Sequence, residues 1–404
     1  MEPHAHPNVR AVQTPALEVA DLVRTFGPDF VRANILSSEQ HAVLRDIERC
    51  RTAALGGHVD VCNGCGLKRI AYNSCRNRHC PKCQSLAGAR WVKKRMERIL
   101  PTHFFHVVFT LPKQLRPLAI MNPEVIYNLL FAAASESLLE LGDNPKWLGA
   151  RVGVTSVLHT WTRELLYHPH VHCVVTGGGL SPDGLRWVDA PQDFLFPVRV
   201  LGELFRGKFI DGMRQARKRG LLKFEGNAQR LGDPAVFDQL CNKLSQVRWV
   251  VYCKQPFGGP ENVFSYLGRY THRTGISNSR LISSDGERVT FRTRGEDTVT
   301  VTGLEFLRRF LQHVLPKGYI KIRHHGLMAP GNVKTLLSTA RRLLEARTPP
   351  VPTVPAPTPG PADFRDLLKE LTGVDLRRCP ACGGEMVRHA LPRERGPPIA
   401  GDTS

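Results

Sequence analysis

The sequence predicts an α+β protein assembled from unlike pieces, and three observations carry that reading. Runs rich in Val, Phe and Thr, of strand length, alternate with helical runs through the middle of the chain. Cysteines gather in C-x-x-C pairs near both ends. A proline-rich stretch without charge sets off the last part. The 404 residues can bury a sizeable core and divide into two or three folded units. The expected segments are a helical, cysteine-rich region (1–98), a strand-and-helix region (99–347), a linker with a short helix (348–378) and a tail with a single C-x-x-C (379–404).

Residues 16–56 read as helical, because Leu17, Val19, Leu22, Val23 and Phe26, then Val43, Leu44 and Ile47, recur at helical spacing. A basic helix is expected over 86–99, with Arg90, Lys93, Lys94, Arg95 and Arg98 along it. HFFHVVFT (103–110), RVGVTSVLHT (151–160) and VHCVVTG (171–177) read as strands, with an apolar helix over 123–141 between the first two. A Gly- and Lys-rich insertion (200–230) precedes another strand, RWVVYCK (248–254). PENVFSYLGRYTHR (260–273) reads as a helix opened by proline, and 288–294 and 298–303 as a hairpin turning through Gly295 and Glu296. Two basic helical segments follow, GLEFLRRFLQHVL and NVKTLLSTARRLLEA. Residues 348–361 hold seven prolines and no charge, the composition of an extended linker.

Lys plus Arg number 56 against 36 Asp plus Glu, a formal net charge of +20 that points to a polyanionic partner. No stretch comes near the roughly 20 apolar residues that cross a bilayer, so no membrane is expected. MEPHAHPNVR has no apolar core of a secretory signal. Eleven cysteines in a chain without an export signal favour metal over disulfides.

Cys62-x-x-Cys65 and Cys80-x-x-Cys83 stand 14 residues apart. Each makes a tight knuckle that aims two thiolates at one ion, and two knuckles complete the tetrahedron zinc prefers. The expected set is therefore one structural zinc on Cys62, Cys65, Cys80 and Cys83. Cys75, His79 and His58 lie close enough to alter it or to build a second site. The loop LKRIAYNSCRNRH, with Arg76, Arg78 and Tyr72, reads as a nucleic-acid contact surface on this staple. The tail pair Cys379 and Cys382, even with His389, is one ligand short and reads as a remnant or a weakly occupied site.

In HPHVHC (168–173), His170 and His172 fall on the same face of a strand while Val171 points into the core. Two imidazoles so placed suit one divalent ion, Mn²⁺ or Mg²⁺ with water completing the shell. His168 is a possible third contributor. Tyr266 and Tyr270 stand four apart on a polar, basic helix, so both hydroxyls share a face. Arg269, His272 and Arg273 crowd the same turn and suit a phosphate.

Several strings in this order carry a resemblance: RNRHCPKCQ, HVVFTLP (106–112), HPHVHCVVTGGGL (168–180), YLGRYTHRTGISNSRL (266–281), EFLRRFLQHVLPKGYIKIRHHG (305–326) and the late CPAC. Over roughly residues 15–345 the chain resembles the two-tyrosine rolling-circle transposases of the insertion sequence 91 family. The resemblance implies a His-hydrophobic-His nuclease palm on an antiparallel sheet, metal on His170 and His172, and nucleophiles at Tyr266 and Tyr270 on an adjacent helix. It also implies a zinc region that contacts transposon-end DNA, single-stranded end and target DNA as partners, and a 5′-phosphotyrosine intermediate. Structural Zn²⁺ and catalytic Mg²⁺ or Mn²⁺ go with it, with no nucleotide cofactor, in a bacterial, cytoplasmic, nucleoid-associated enzyme. The single C-x-x-C of the tail departs from a complete second ribbon. Three rivals follow from the same residues: a replication initiator or relaxase sharing the chemistry, a zinc-containing DNA-binding protein without catalysis, and a hydrolytic nuclease using metal-activated water.

Overall fold

The computed structural model describes residues 17–83, 88, 98–257, 275–347 and 364–393. Two helices open it, α1 (Val19–Ala33) and α2 (Ser38–Arg49), as the spacing predicts. Ser37 and Gln40 cap α2 reciprocally, each side chain bonding the other's backbone N–H. Strands β1 (Gly57–Cys62) and β2 (Lys68–Tyr72) then pair antiparallel. The middle of the chain runs β3 (Phe104–Thr110), α3 (Arg116–Met121), α4 (Pro123–Asp143), β4 (Arg151–Trp161), β5 (Tyr167–Leu180) and β6 (Trp187–Asp189). It continues through α5 (Val198–Lys218), α6 (Pro234–Gln246) and β7 (Val251–Phe257). After residue 274 come β8 (Leu281–Ser284), β9 (Arg288–Arg292), β10 (Thr298–Thr302), α7 (Gly303–Leu311), β11 (Ile322–Gly326) and α8 (Leu336–Glu345). The last elements are α9 (Phe364–Thr372) and β12 (Met386–Leu391).

Five strands form the central sheet in the order β11-β4-β5-β3-β7, every neighbour antiparallel, with β6 added beside the end of β5. Alternation gives the sheet two unlike faces. Phe105, Val107 and Phe109 of β3 and Val171, Cys173 and Val175 of β5 enter one large core with Ile126, Leu130 and Phe131 of α4 and Phe205, Phe209 and Met213 of α5. The other face carries the histidines described below.

Two expectations need correction here. The stretch at 200–230 is no loose insertion, because Leu201, Phe205, Phe209, Ile210, Met213 and Ala216 form a helical stripe that buries against the sheet as α5. Gly212 serves packing, since a Cβ there would stand 2.7 Å from Leu129 of α4. Second, α4 is long and apolar enough, by length and composition, to cross a bilayer, although no stretch was expected to be. With 61% of its apolar window buried inside the protein, it is the core helix of this fold.

The N-terminal helices do not stand apart from the later chain. α1 and α2 share a core with Val289 and Phe291 of β9 and with Phe306, Leu307 and Phe310 of α7. Gly303 lets α7 start against Phe26, whose ring a Cβ there would meet at 2.4 Å. The β8-β9-β10 sheet contains the expected hairpin, turned through Gly295 at φ 57°. The tail also returns: β12 pairs antiparallel with β1, giving a third sheet in the order β12-β1-β2.

Candidate active site and zinc centres

The histidine pair sits where strand alternation puts it, and the sheet adds a third ring. In the β4–β5 register His159 lies opposite His170, with His172 two residues along on the same face. One ligand nitrogen from each of His159, His170 and His172 falls within 4.8 Å of the others. His159 is buried and the other two are half-buried. A hydrogen bond to a carbonyl fixes which nitrogen His170 offers. His170 Nδ1–H donates to the His168 carbonyl at 2.7 Å, leaving Nε2 as the lone-pair atom. His172 Nδ1 lies 2.9 Å from His106 Nε2, and the two rings stack at 5.1 Å. With Nδ1–H donating there, His172 too turns Nε2 outward, the arrangement by which outer partners orient metal-binding imidazoles. Burial drives the His170 and His106 pKa values down to about 4, so both rings are neutral near pH 7.

Three imidazoles that converge, with no carboxylate in the group among the described residues, fit a divalent ion and leave coordination positions open. His168 contributes its carbonyl as the anchor for His170. Sequence reading missed His159 and His106. The first had a usable signal: β4 and β5 form a hairpin with a short turn, and folding it at residue 164 or 165 lays 159 on 170.

The same face continues onto the edge strand. Across three strands His172, Val108 and Tyr252 stand in register, and His106 is opposite Lys254. Tyr252 is 51% exposed, with the Lys254 ammonium 5.9 Å from its ring centre. At the same end of β4 as His159, a small cavity is lined by Arg78, His79, Trp161, His313 and Lys321 among others, with no carboxylate among the described residues. Burial, then Arg78, lowers the Lys321 pKa to about 8. Arg78 is partly committed to the protein, donating to the Tyr319 carbonyl at 2.6 Å, whereas Arg76 is exposed. Tyr266, Tyr270, Arg269, His272 and Arg273 lie outside the described residues.

The cysteines regroup, which corrects the expected zinc set of Cys62, Cys65, Cys80 and Cys83. Cys80 and Cys83 join Cys50 and Cys75, while Cys62 and Cys65 join Cys379 and Cys382. The reason is topological. Cys62 ends β1, the strand that β12 pairs with, whereas Cys50 closes α2 beside the 75–83 loop. In the first group the Sγ atoms of Cys50 and Cys83, Cys75 and Cys83, and Cys50 and Cys80 lie 3.5, 3.6 and 3.6 Å apart. A zinc tetrathiolate with bonds near 2.3 Å has sulfur–sulfur edges of roughly 3.8 Å. The thiols of Cys50, Cys75 and Cys80 hold Cys83 far below its ordinary range, while neighbouring thiols push Cys75 and Cys80 up. Four sulfurs this close share charge only with a cation among them, and the donor set fits zinc. His58 and His79 are not in either group. His79 instead accepts the Leu315 N–H at 3.3 Å.

Comparison with known proteins agrees with these pieces. Residues 22–111 match a family model described as "Transposase zinc-binding domain", the one for insertion sequence 91 elements. Residues 153–335 match a model described as "Putative transposase". The chain is 44% identical over 396 residues to "Putative transposase y4qJ" of Sinorhizobium fredii (strain NBRC 101917 / NGR234), covering 96% of this chain and 98% of that protein. It is 28% identical over 412 residues to the "Transposase for insertion sequence element IS801" of Pseudomonas savastanoi pv. phaseolicola, covering 95% and 92%. No solved structure matches the chain.

Proposed function

The chain belongs to the insertion sequence 91 family of transposases, and we propose that it nicks and rejoins single-stranded DNA at transposon ends through a 5′-phosphotyrosine. The observation that carries this reading is the convergence of His159, His170 and His172 on one face of an antiparallel sheet whose other face is the core. That convergence supports the reading of a His-hydrophobic-His palm, in which Val171 anchors the strand while its neighbours would present nitrogen to an ion.

The three rings would hold Mn²⁺, which imidazole suits better than Mg²⁺. Bound there, the ion supplies polarisation of the scissile phosphate oxygens. The nucleophile is the hydroxyl of Tyr266 or Tyr270. Its oxygen bonds to phosphorus as the bond from phosphorus to the 3′ oxygen breaks. The phenolic proton leaves, and the departing oxygen takes up a proton as a 3′ hydroxyl. The phosphotyrosine conserves the phosphodiester energy, so a 3′ hydroxyl attacking it rejoins DNA without a nucleotide cofactor. Two tyrosines allow one to hold a cut end while the other cuts again. Arg269, His272 and Arg273 hold the phosphate, Arg76 meets DNA on the zinc-bearing loop, and Tyr252 with Lys254 offers a base-stacking surface on the single strand.

The test is covalent capture of a labelled single-stranded end oligonucleotide on a denaturing gel. Wild type forms a shifted adduct in Mn²⁺, and the double variant Tyr266→Phe/Tyr270→Phe forms none. An adduct that persists in the double variant refutes the assignment. Cleavage without any adduct would favour a hydrolytic nuclease instead.

A further inference from the structure

We infer that Cys62, Cys65, Cys379 and Cys382 form a second structural zinc site, one that locks the two ends of the chain into a single ribbon. The inference stands on coordination geometry and is independent of the strand-transfer chemistry. Cys62 and Cys382 Sγ lie 3.4 Å apart and Cys65 and Cys379 Sγ 3.6 Å, and all four fall within 4.8 Å of one another.

The two halves are copies of one knuckle, although 317 residues separate Cys62 from Cys379. Each reads C-x-x-C-G. In the first, Gly66 N–H donates to the Cys62 carbonyl at 3.0 Å, and Cys62 N–H donates to Leu67 at 2.9 Å. In the second, Gly383 N–H donates to Cys379 at 2.9 Å, and Cys379 N–H donates to Gly384 at 2.8 Å. Gly66 and Gly383 take the same left-handed turn, at φ 71° and 73°. Backbone N–H groups of Gly64 and Cys65 point at Cys62 Sγ, and those of Cys382 and Ala381 at Cys379 Sγ. These donors stabilise thiolate in both halves. Gly384 completes the cradle, since a Cβ there would stand 3.1 Å from Cys62 Sγ and 3.3 Å from Cys382 Sγ.

The surrounding sheet is built to close in the same place. β12 pairs with β1 from Gly57↔Leu391 to Cys62↔Met386. Buried Asp60 of β1 accepts from Arg69 of β2 at 3.2 Å and from Arg388 of β12 at 2.7 Å. One carboxylate therefore ties all three strands. A tail that merely drifted nearby would not share a buried ion-pair network and a strand register with residues 57–62. The consequence is a module that needs the last residues of the chain: without 379–382, Cys62 and Cys65 keep half a coordination shell.

Cobalt substitution tests this, because thiolate-to-cobalt charge-transfer absorption counts sulfur-bound ions and ignores the histidine site. Full-length wild type takes up two sulfur-bound ions. Cys379→Ser/Cys382→Ser takes up one, Cys62→Ser/Cys65→Ser takes up one, and the fourfold variant still takes up one, since both pairs serve the same ion. Cys382→His, which keeps four ligands, retains two. Two ions in the tail variant, or none in the fourfold variant beside one in each double variant, would overturn the inference. A zinc on Cys62, Cys65, Cys80 and Cys83 instead requires one ion in wild type, one in the tail variant and none in the fourfold variant, and that pattern overturns the inference too.

Discussion

The cysteine groups and the proposed metal face of histidines are suited to a divalent ion in opposite ways. Each cysteine group collects four sulfurs from turns and strand ends, with negative charge on the ligands and no position left open. The histidine face collects three rings from two rigid strands, with His172 meeting His106 and His170 held by the His168 carbonyl. A closed tetrathiolate converts metal binding into folding free energy. Three imidazoles on a sheet that is already folded add little to stability and leave places for a substrate oxygen. The difference teaches where each ion's free energy goes: into holding segments together at the sulfurs, into chemistry at the nitrogens.

That contrast is easiest to break by removing one ligand from each. His172→Ala should lower single-strand cleavage by several kcal/mol of barrier, about 10³-fold, while the urea midpoint stays within error of wild type. Cys80→Ser should do the reverse in kind: loss of one sulfur-bound ion and a clear fall in the urea midpoint, because the buried core around Cys50 and Cys80 loses its staple. If His172→Ala unfolds the protein, or Cys80→Ser leaves its midpoint unchanged, the division between the regions fails. A smaller effect sharpens it. His106 touches no ion, so His106→Ala should weaken Mn²⁺ binding by about 10–100-fold and regain most cleavage at saturating Mn²⁺. A defect that excess Mn²⁺ does not relieve would mean that His106 acts on something other than metal affinity.

The two regions were also unequally legible. His170 and His172 could be read because strand alternation acts over two residues, and nothing distant can change it. His159 needed one step more, because its place depends on the register of a neighbouring strand and so on where the hairpin turns. The C-x-x-C pairs were legible as knuckles for the same local reason. Which knuckle meets which is decided by β1–β12 pairing across more than 300 residues, and Cys50 and Cys75 belong to no C-x-x-C at all. Composition misled at 200–230, where Gly and Lys masked an apolar stripe already present at helical spacing. β12 is only six residues long, with Arg388 and His389 at its middle, and takes its conformation from its partner strand.

One more histidine, just after α7 and packed against this sheet, separates packing from chemistry. His313 is fully buried, its Nε2–H donating to the Leu165 carbonyl at 3.1 Å while Nδ1 faces the Thr160 hydroxyl at 3.1 Å. Both contacts suit the neutral ring, and burial lowers its pKa to about 4. The unfolded chain, with an ordinary value near 6.5, therefore binds more protons than the folded one between those limits. Stability from this group is complete above pH 6.5 and is lost as pH falls toward 4. Lowering pH from 6.5 to 5 should remove about 2 kcal/mol through His313. His313→Gln, which cannot take up the proton, should show a shallower loss in urea midpoint over the same interval. His313 joins the β4–β5 end of the sheet to the core of α1, α2 and α7, so the loosening belongs at that junction. An identical pH slope in the variant would place the acid sensitivity elsewhere, and the metal-facing rings would then be the groups to substitute next.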